Sequence, residues 1–315
     1  MTRHPFYLVD AFCQKRFRGN QAAIILAQSP ISDEEKQSLG AEFNLSETAF
    51  PEPVNGDYKC ASRFGLRWFT PTTEVPLCGH ATLATAHVLF YEVGNINETL
   101  TFETKSGDLV VSKGHYGGIG MDFPQYELVS ISWADTDNKY GDYFTETTAP
   151  NFLTNVIRCL VPEELNIEGV VYAPKAKKLI VVIDSETTKF ELGNLFAEYK
   201  QMIEIHPEGD WIRGVIVTLA PRNSIKQGFG SVNGQPYDYV CRYFAPWAGI
   251  DEDPATGSAQ CAVAPFWSKI LNKKELLAFQ SYPKRGADFK LSLPSKERIF
   301  IQGEAVTVVS GVANL

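Results

Sequence analysis

Apolar residues in this chain gather in short runs separated by turn residues, which is the pattern of many short strands rather than of long helices. Phe6-Tyr7-Leu8-Val9-Asp10-Ala11-Phe12 and Ala22-Ala23-Ile24-Ile25-Leu26 flank a basic turn, Arg16-Phe17-Arg18-Gly19-Asn20, and predict a β-hairpin or a pair of short strands. Further strand-like runs lie at residues 66–69, 100–102, 109–111, 179–183, 214–218 and 305–309. Ser32 followed by Glu35 is a capping-box signature, so a helix is expected from there to about Phe43. Residues 44–50 then read as a strand whose alternation puts Leu45, Glu47 and Ala49 on one face, and residues 70–78 as a loop. Two segments stand apart. Residues 79–90 and 255 to about 271 have helical character with almost no charge, which predicts burial all round, and Pro265 should interrupt or kink the second. One buried helix per half among short strands predicts an α+β fold, a curved antiparallel sheet wrapped around each central helix. There is no regular βαβ alternation and no Gly-x-Gly-x-x-Gly, which argues against a dinucleotide fold.

The two halves also repeat each other. Arg67-Trp68-Phe69-Thr70-Pro71 matches Arg242-Tyr243-Phe244-Ala245-Pro246 at an offset of 242 − 67 = 175 residues. Carried forward unchanged, that offset sets Cys78-Gly79-His80-Ala81-Thr82 against Asp253-Pro254-Ala255-Thr256-Gly257. At 315 residues the chain is long enough for two cores, and the expected division is 1–126, completed by the last strand at about 304–315, and 127–303. The polar, turn-rich stretch that includes Trp133-Ala134-Asp135-Thr136-Asp137-Asn138 follows that crossing. Chemistry is expected in a cleft between the halves, each presenting a polar group to a bound molecule.

Composition narrows the possibilities. A net charge of −8, with no Lys/Arg-rich run, leaves no electrostatic footprint for nucleic acid. No stretch approaches the length of a membrane span and the N-terminus lacks a signal-peptide core, so a cytoplasmic protein is expected. The six cysteines form no C-x-x-C pair and read as thiols; the five histidines, among them His80, His87 and His115, supply no metal-binding pattern, and no metal is expected.

Each apolar helix starts at small residues, Gly79 and Ala81 or Gly257 and Ala259, which leaves its first N–H groups approachable and makes an anion site. Small residues also serve tight helix–sheet packing. His80 in the first turn can donate to a substrate oxygen or move a proton, or it can be a structural hydrogen-bonder. Asp253 before Pro254 can act as an N-cap, as can Thr256 or Ser258. Cys78 at a helix N-terminus suits a thiol base, but the offset finds Asp253, not a second thiol, in the other half. Glu47 either faces solvent from its strand or sits among apolar neighbours, where its carboxyl would be raised toward neutrality and suited to moving a proton to and from carbon.

These residues fall into motifs, in order: Arg18-Gly19-Asn20, Leu45-Ser46-Glu47-Thr48-Ala49-Phe50, Arg67-Trp68-Phe69-Thr70-Pro71, Leu77-Cys78-Gly79-His80-Ala81-Thr82 and Glu252-Asp253-Pro254-Ala255-Thr256-Gly257-Ser258-Ala259. Together they resemble the phenazine-biosynthesis PhzF-like isomerase family of the diaminopimelate epimerase and proline racemase superfamily, with wording closest to the animal MAWD-binding-protein-like members. The resemblance implies two pseudo-symmetric domains, each a barrel-like sheet around a helix, and a cofactor-free isomerase, often a homodimer, acting on a small carboxylate. It implies that Glu47 is the acid/base, that His80 and Asp253 assist proton movement, and that Gly79 and Ser258 bind the substrate carboxylate, with Gly257, Cys78 and Asn20 counted beside them. Asp253 is read as standing where thiol-dependent relatives carry a second cysteine. Residues 129–239 match no family motif. A binding protein that keeps the isomerase fold is the rival reading, and an epimerase a third.

Overall fold

A computed structural model describes residues 2–114, 118–132, 138–230 and 234–315. His115 and the Trp133–Asp137 part of the polar stretch lie outside the described residues. The chain divides into two compact units, one of Met1–Phe123 with Phe300–Leu315, the other of Pro124–Ile299.

In the first unit, strand Arg3–Ala11 pairs antiparallel with Asn20–Ile25 on one side and with the C-terminal strand Ala305–Asn314 on the other. Asn20–Ile25 runs parallel to Glu47–Pro53, which pairs antiparallel with Arg63–Phe69. Arg63–Phe69 runs parallel to Thr99–Thr104, and Gly107–Lys113 and Ile119–Pro124 follow antiparallel. Helix Gly79–His87 packs against the strands at 3–11, 20–25, 47–53 and 305–314, and every residue from His80 to Ala86 is buried. That explains its lack of charge. The predicted helix over 79–90 is shorter by three residues, because a π-helical turn, Val88–Val93, takes over and ends at Gly94 with φ of +75°.

The second unit repeats the strand sequence. Ile167–Ala173 and Lys178–Ile183 are antiparallel, the latter is parallel to Gly214–Leu219, and that strand is antiparallel to Tyr239–Ala245. Tyr239–Ala245 is parallel to Glu275–Gln280, which pairs antiparallel with Ala287–Ser292. Arg67 and Arg242 thus sit on corresponding strands. Each guanidinium lies over the phenylalanine two residues on, 5.1 Å from the Phe69 ring centroid and 4.8 Å from that of Phe244. The parallel pairs were not read from the sequence, because hydropathy does not encode strand direction.

Helix Gly257–Leu271 carries Pro265 inside it. Proline has no N–H to bond the carbonyl four residues back, and that carbonyl, of Cys261, instead accepts from Tyr126 N at 3.0 Å. The capping box at Ser32–Glu35 is present, and helix Asp33–Phe43 ends on Asn44 in the left-handed region. Asn44 is therefore a cap and not a strand residue: the strand expected over 44–50 starts at Glu47 and runs through to Pro53. Among the described residues, no helix is long and apolar enough to cross a membrane.

Candidate active site

Three short elements of the first unit bring their ends together. Gly19, at φ +63°, has no room for a side chain, since a Cβ there would stand 2.0 Å from the Ala11 carbonyl oxygen. Only glycine makes this turn, and it delivers Asn20 to the start of its strand. Glu47 opens the neighbouring parallel strand, opposite Ala22. Cys78 is the N-cap of helix Gly79–His87 but makes no side-chain capping bond, and His80 lies in the first turn.

Asn20, Glu47, Cys78 and His80 are all buried. Asn20 Nδ2 is 3.1 Å from His80 Nδ1, and the Cys78 Sγ is 3.4 Å from the same nitrogen. With the amide and the thiol both able to donate there, Nδ1 accepts, and the network assigns the proton to Nε2. Nε2 faces the Gln21 carbonyl at 3.2 Å, the Ser46 hydroxyl at 3.3 Å and Glu47 Oε2 at 3.2 Å. Although His80 stands close, among the described residues no well-directed hydrogen bond closes onto Glu47 Oε2. Burial dominates: it pushes the Glu47 carboxyl up from 4.5 to about 7, against the Cys78 thiol and the Ser46 hydroxyl, which pull the other way. This is a carboxyl able to change protonation state near neutral pH, beside a histidine held by groups on both edges. Its burial does not follow the expected alternation, since Glu47, Thr48, Ala49 and Phe50 are all buried in succession.

The second unit holds Asp253, Gly257 and Ser258. Of the three residues that could cap helix Gly257–Leu271, the N-cap is Thr256 rather than Asp253 or Ser258. The Asp253 carboxylate instead accepts a short hydrogen bond from the Thr256 hydroxyl. The offset read from the sequence also slips here. The helices start at Gly79 and Gly257, 178 residues apart, whereas the arginines are 175 apart. The additional residues lie in the connection, where a short 3-10 turn, Pro246–Ala248, precedes strand Ile250–Glu252. By element position the counterpart of Cys78 is Thr256, and that of His80 is Ser258.

Sequence reasoning missed Gln280. Fully buried on strand Glu275–Gln280, it accepts from Thr256 N at 2.9 Å and donates to the Asp253 carbonyl at 2.6 Å and the Thr256 hydroxyl at 3.1 Å. Behind it, Tyr239 donates to Gln260 Oε1, and Gln260 donates to Gln280 Oε1 at 3.3 Å. This chain of amides fixes the turn that carries Asp253 and Thr256.

A buried, near-neutral carboxyl beside a positioned histidine, in a sheet-wrapped-helix unit whose strand order recurs in a second unit, defines a protein of the diaminopimelate epimerase-like fold. Comparison with known proteins agrees. The family model described as phenazine biosynthesis-like protein matches residues 9–311, and the chain belongs to that family. A mouse phenazine biosynthesis-like domain-containing protein is 37% identical over 311 residues, covering 98% of each chain. An uncharacterized isomerase of Halalkalibacterium halodurans is 37% identical over 312 residues, again 98% of each. The crystal structure of a PhzF-family phenazine biosynthesis protein from Enterococcus faecalis matches with a TM-score of 0.78 at 30% identity, covering 100% of both chains. Family and relatives together support an isomerase-type enzyme.

Proposed function

We propose that this protein is a cofactor-independent isomerase in which Glu47 moves a proton between carbons of a small carboxylate-bearing substrate. The observation that carries the reading is the Glu47 carboxyl, buried and raised to about 7, with one oxygen unclaimed by a directed hydrogen bond and 3.2 Å from His80 Nε2. A base of this strength is half ionised near neutral pH, where proton acceptance and return are both accessible. The carboxylate takes a proton from carbon, the electron pair passes into the adjoining carboxylate or conjugated double bond, and the carboxylic acid returns the proton to another carbon. His80 Nε2, 3.2 Å from Glu47 Oε2, stands beside the charge that changes on Glu47. The first N–H groups of helix Gly79–His87 have no intrahelical acceptor and suit a substrate carboxylate. Asp253, Gly257 and Ser258 belong to the proposal through the family motif that contains them.

The test is incubation with small amino- and hydroxy-carboxylates in deuterated water, locating the label by NMR. An isomerase places deuterium on a carbon other than the one deprotonated; an epimerase labels the same carbon with inversion. Absence of label from every acid, with the purified protein binding another macromolecule instead, would favour the rival reading of a binding protein.

A further inference from the structure

In the proton-transfer reading Cys78 carries no proton to or from substrate; its thiol only opposes the upward push on the Glu47 carboxyl. Its thiol does not cap the helix it precedes; it faces His80 Nδ1 at 3.4 Å. One ligand atom each from Glu47, Cys78 and His80 lies within 4.8 Å of the other two, and all three residues are buried. Glu47 Oε2 adds an independent sign, a buried carboxylate oxygen with no directed donor among the described residues.

The geometry points to a site for a thiophilic divalent cation, with Zn2+ the best match, formed by Glu47, Cys78 and His80. Ligands of a tetrahedral zinc at bond lengths of about 2.1 Å stand about 3.4 Å apart, and Glu47 Oε2 and His80 Nε2 are already 3.2 Å apart. Rotation of the Cys78 side chain toward them supplies the third donor, as a thiolate that loses its proton on binding. Sulfur, imidazole and carboxylate together select zinc over the oxygen-loving magnesium and calcium. Three protein ligands leave a fourth position for water or a substrate carboxylate. The consequence for activity, though not the site itself, rests on the proton-transfer reading: the cation occupies the carboxylate and the imidazole that move the proton, so zinc is an inhibitor competing with substrate.

The full-length protein, freed of metal with a chelator, would be titrated with Zn2+ by equilibrium dialysis and with Co2+ as an optical probe. One ion per chain is expected, with a thiolate-to-cobalt charge-transfer band. Cys78→Ala should abolish the band, and Cys78→Ala and Glu47→Gln should each weaken zinc binding by more than ~10-fold, the least expected of a lost ligand when even outer partners cost that much. Cys60→Ala, at the exposed cysteine, should change nothing. Circular dichroism checks folding, and Cys78→Ser replaces the alanine variant should that one unfold. Zinc affinity unchanged in Cys78→Ala or in Glu47→Gln, or lost in Cys60→Ala, would overturn the site. Because binding is read without substrate, that failure leaves the acid/base role of Glu47 intact. Conversely, a Glu47→Gln variant that loses zinc yet still exchanges carbon-bound protons sinks the acid/base role and leaves the site.

Discussion

Glu47 should make the protein less stable as pH rises, and removing its charge should abolish that contribution. A carboxyl at about 7 in the folded chain and 4.5 when exposed binds more protons folded than unfolded between those values. The folded state is therefore favoured below pH 4.5, and its advantage drains away as pH climbs through 7. The gap corresponds to about 3 kcal/mol, reached above pH 8, with about 2 kcal/mol already lost at pH 6. Glu47 is only 6% exposed, so solvent screening does little to reduce this. Glu47→Gln keeps the shape and cannot ionise. Urea unfolding of wild type and variant at pH 5, 6, 7 and 8, followed through Trp68, the one tryptophan of the first unit, reads the difference. The variant should gain on the wild type with pH, approaching a relative advantage of about 3 kcal/mol at pH 8 over pH 4.5. A difference that is flat from pH 5 to 8, or that falls, would refute the assignment of a buried, destabilised carboxylate.

Three further outcomes follow from the same structure. Arg242→Met should cost about 3–5 kcal/mol in unfolding experiments, since it strands a buried Glu252 carboxylate and the Leu192 and Leu195 carbonyls, whereas Arg67→Met, whose partners are an exposed Asp33 and a Glu74 that keeps Lys105, should cost about 1–2 kcal/mol; equal costs would contradict this. Gln280→Met should leave the protein folded while amide hydrogen exchange at Thr256 speeds up by at least ~10-fold, the equivalent of one lost hydrogen bond, and unchanged protection there would show that the turn holds itself. Mass-mapped alkylation of the native protein should find Cys60 modified early and Cys241 and Cys261 untouched, because burial pushes both of the latter thiols up to about 12; early adducts on either would contradict it.

Much of the site was legible because its signals are local. Ser32 and Glu35 announce their capping box within four residues, and the uncharged run from Ala81 to Ala86 announces a helix enclosed on all sides. Glu47 could be singled out by type and neighbours, though not by period: four consecutive buried residues in its strand leave no alternation to read. What escaped was long-range. The 3-10 turn at Pro246–Ala248 lies between the repeated arginine motif and the helix, so counting residues past it paired Cys78 with Asp253, where the elements pair Cys78 with Thr256. Gln280 meets Thr256 only because strand Glu275–Gln280 runs beside Tyr239–Ala245, a parallel neighbour that no local pattern specifies.

The claim that Glu47 carries the proton is tested most directly by replacing it and watching carbon. With any carboxylate that the wild type labels in deuterated water, Glu47→Gln should slow incorporation by at least the ~100-fold typical of general-base loss, while Cys78→Ala stays within a few-fold of wild type. A Glu47→Gln enzyme exchanging at the wild-type rate, with exchange lost instead in Cys78→Ala, would contradict the account.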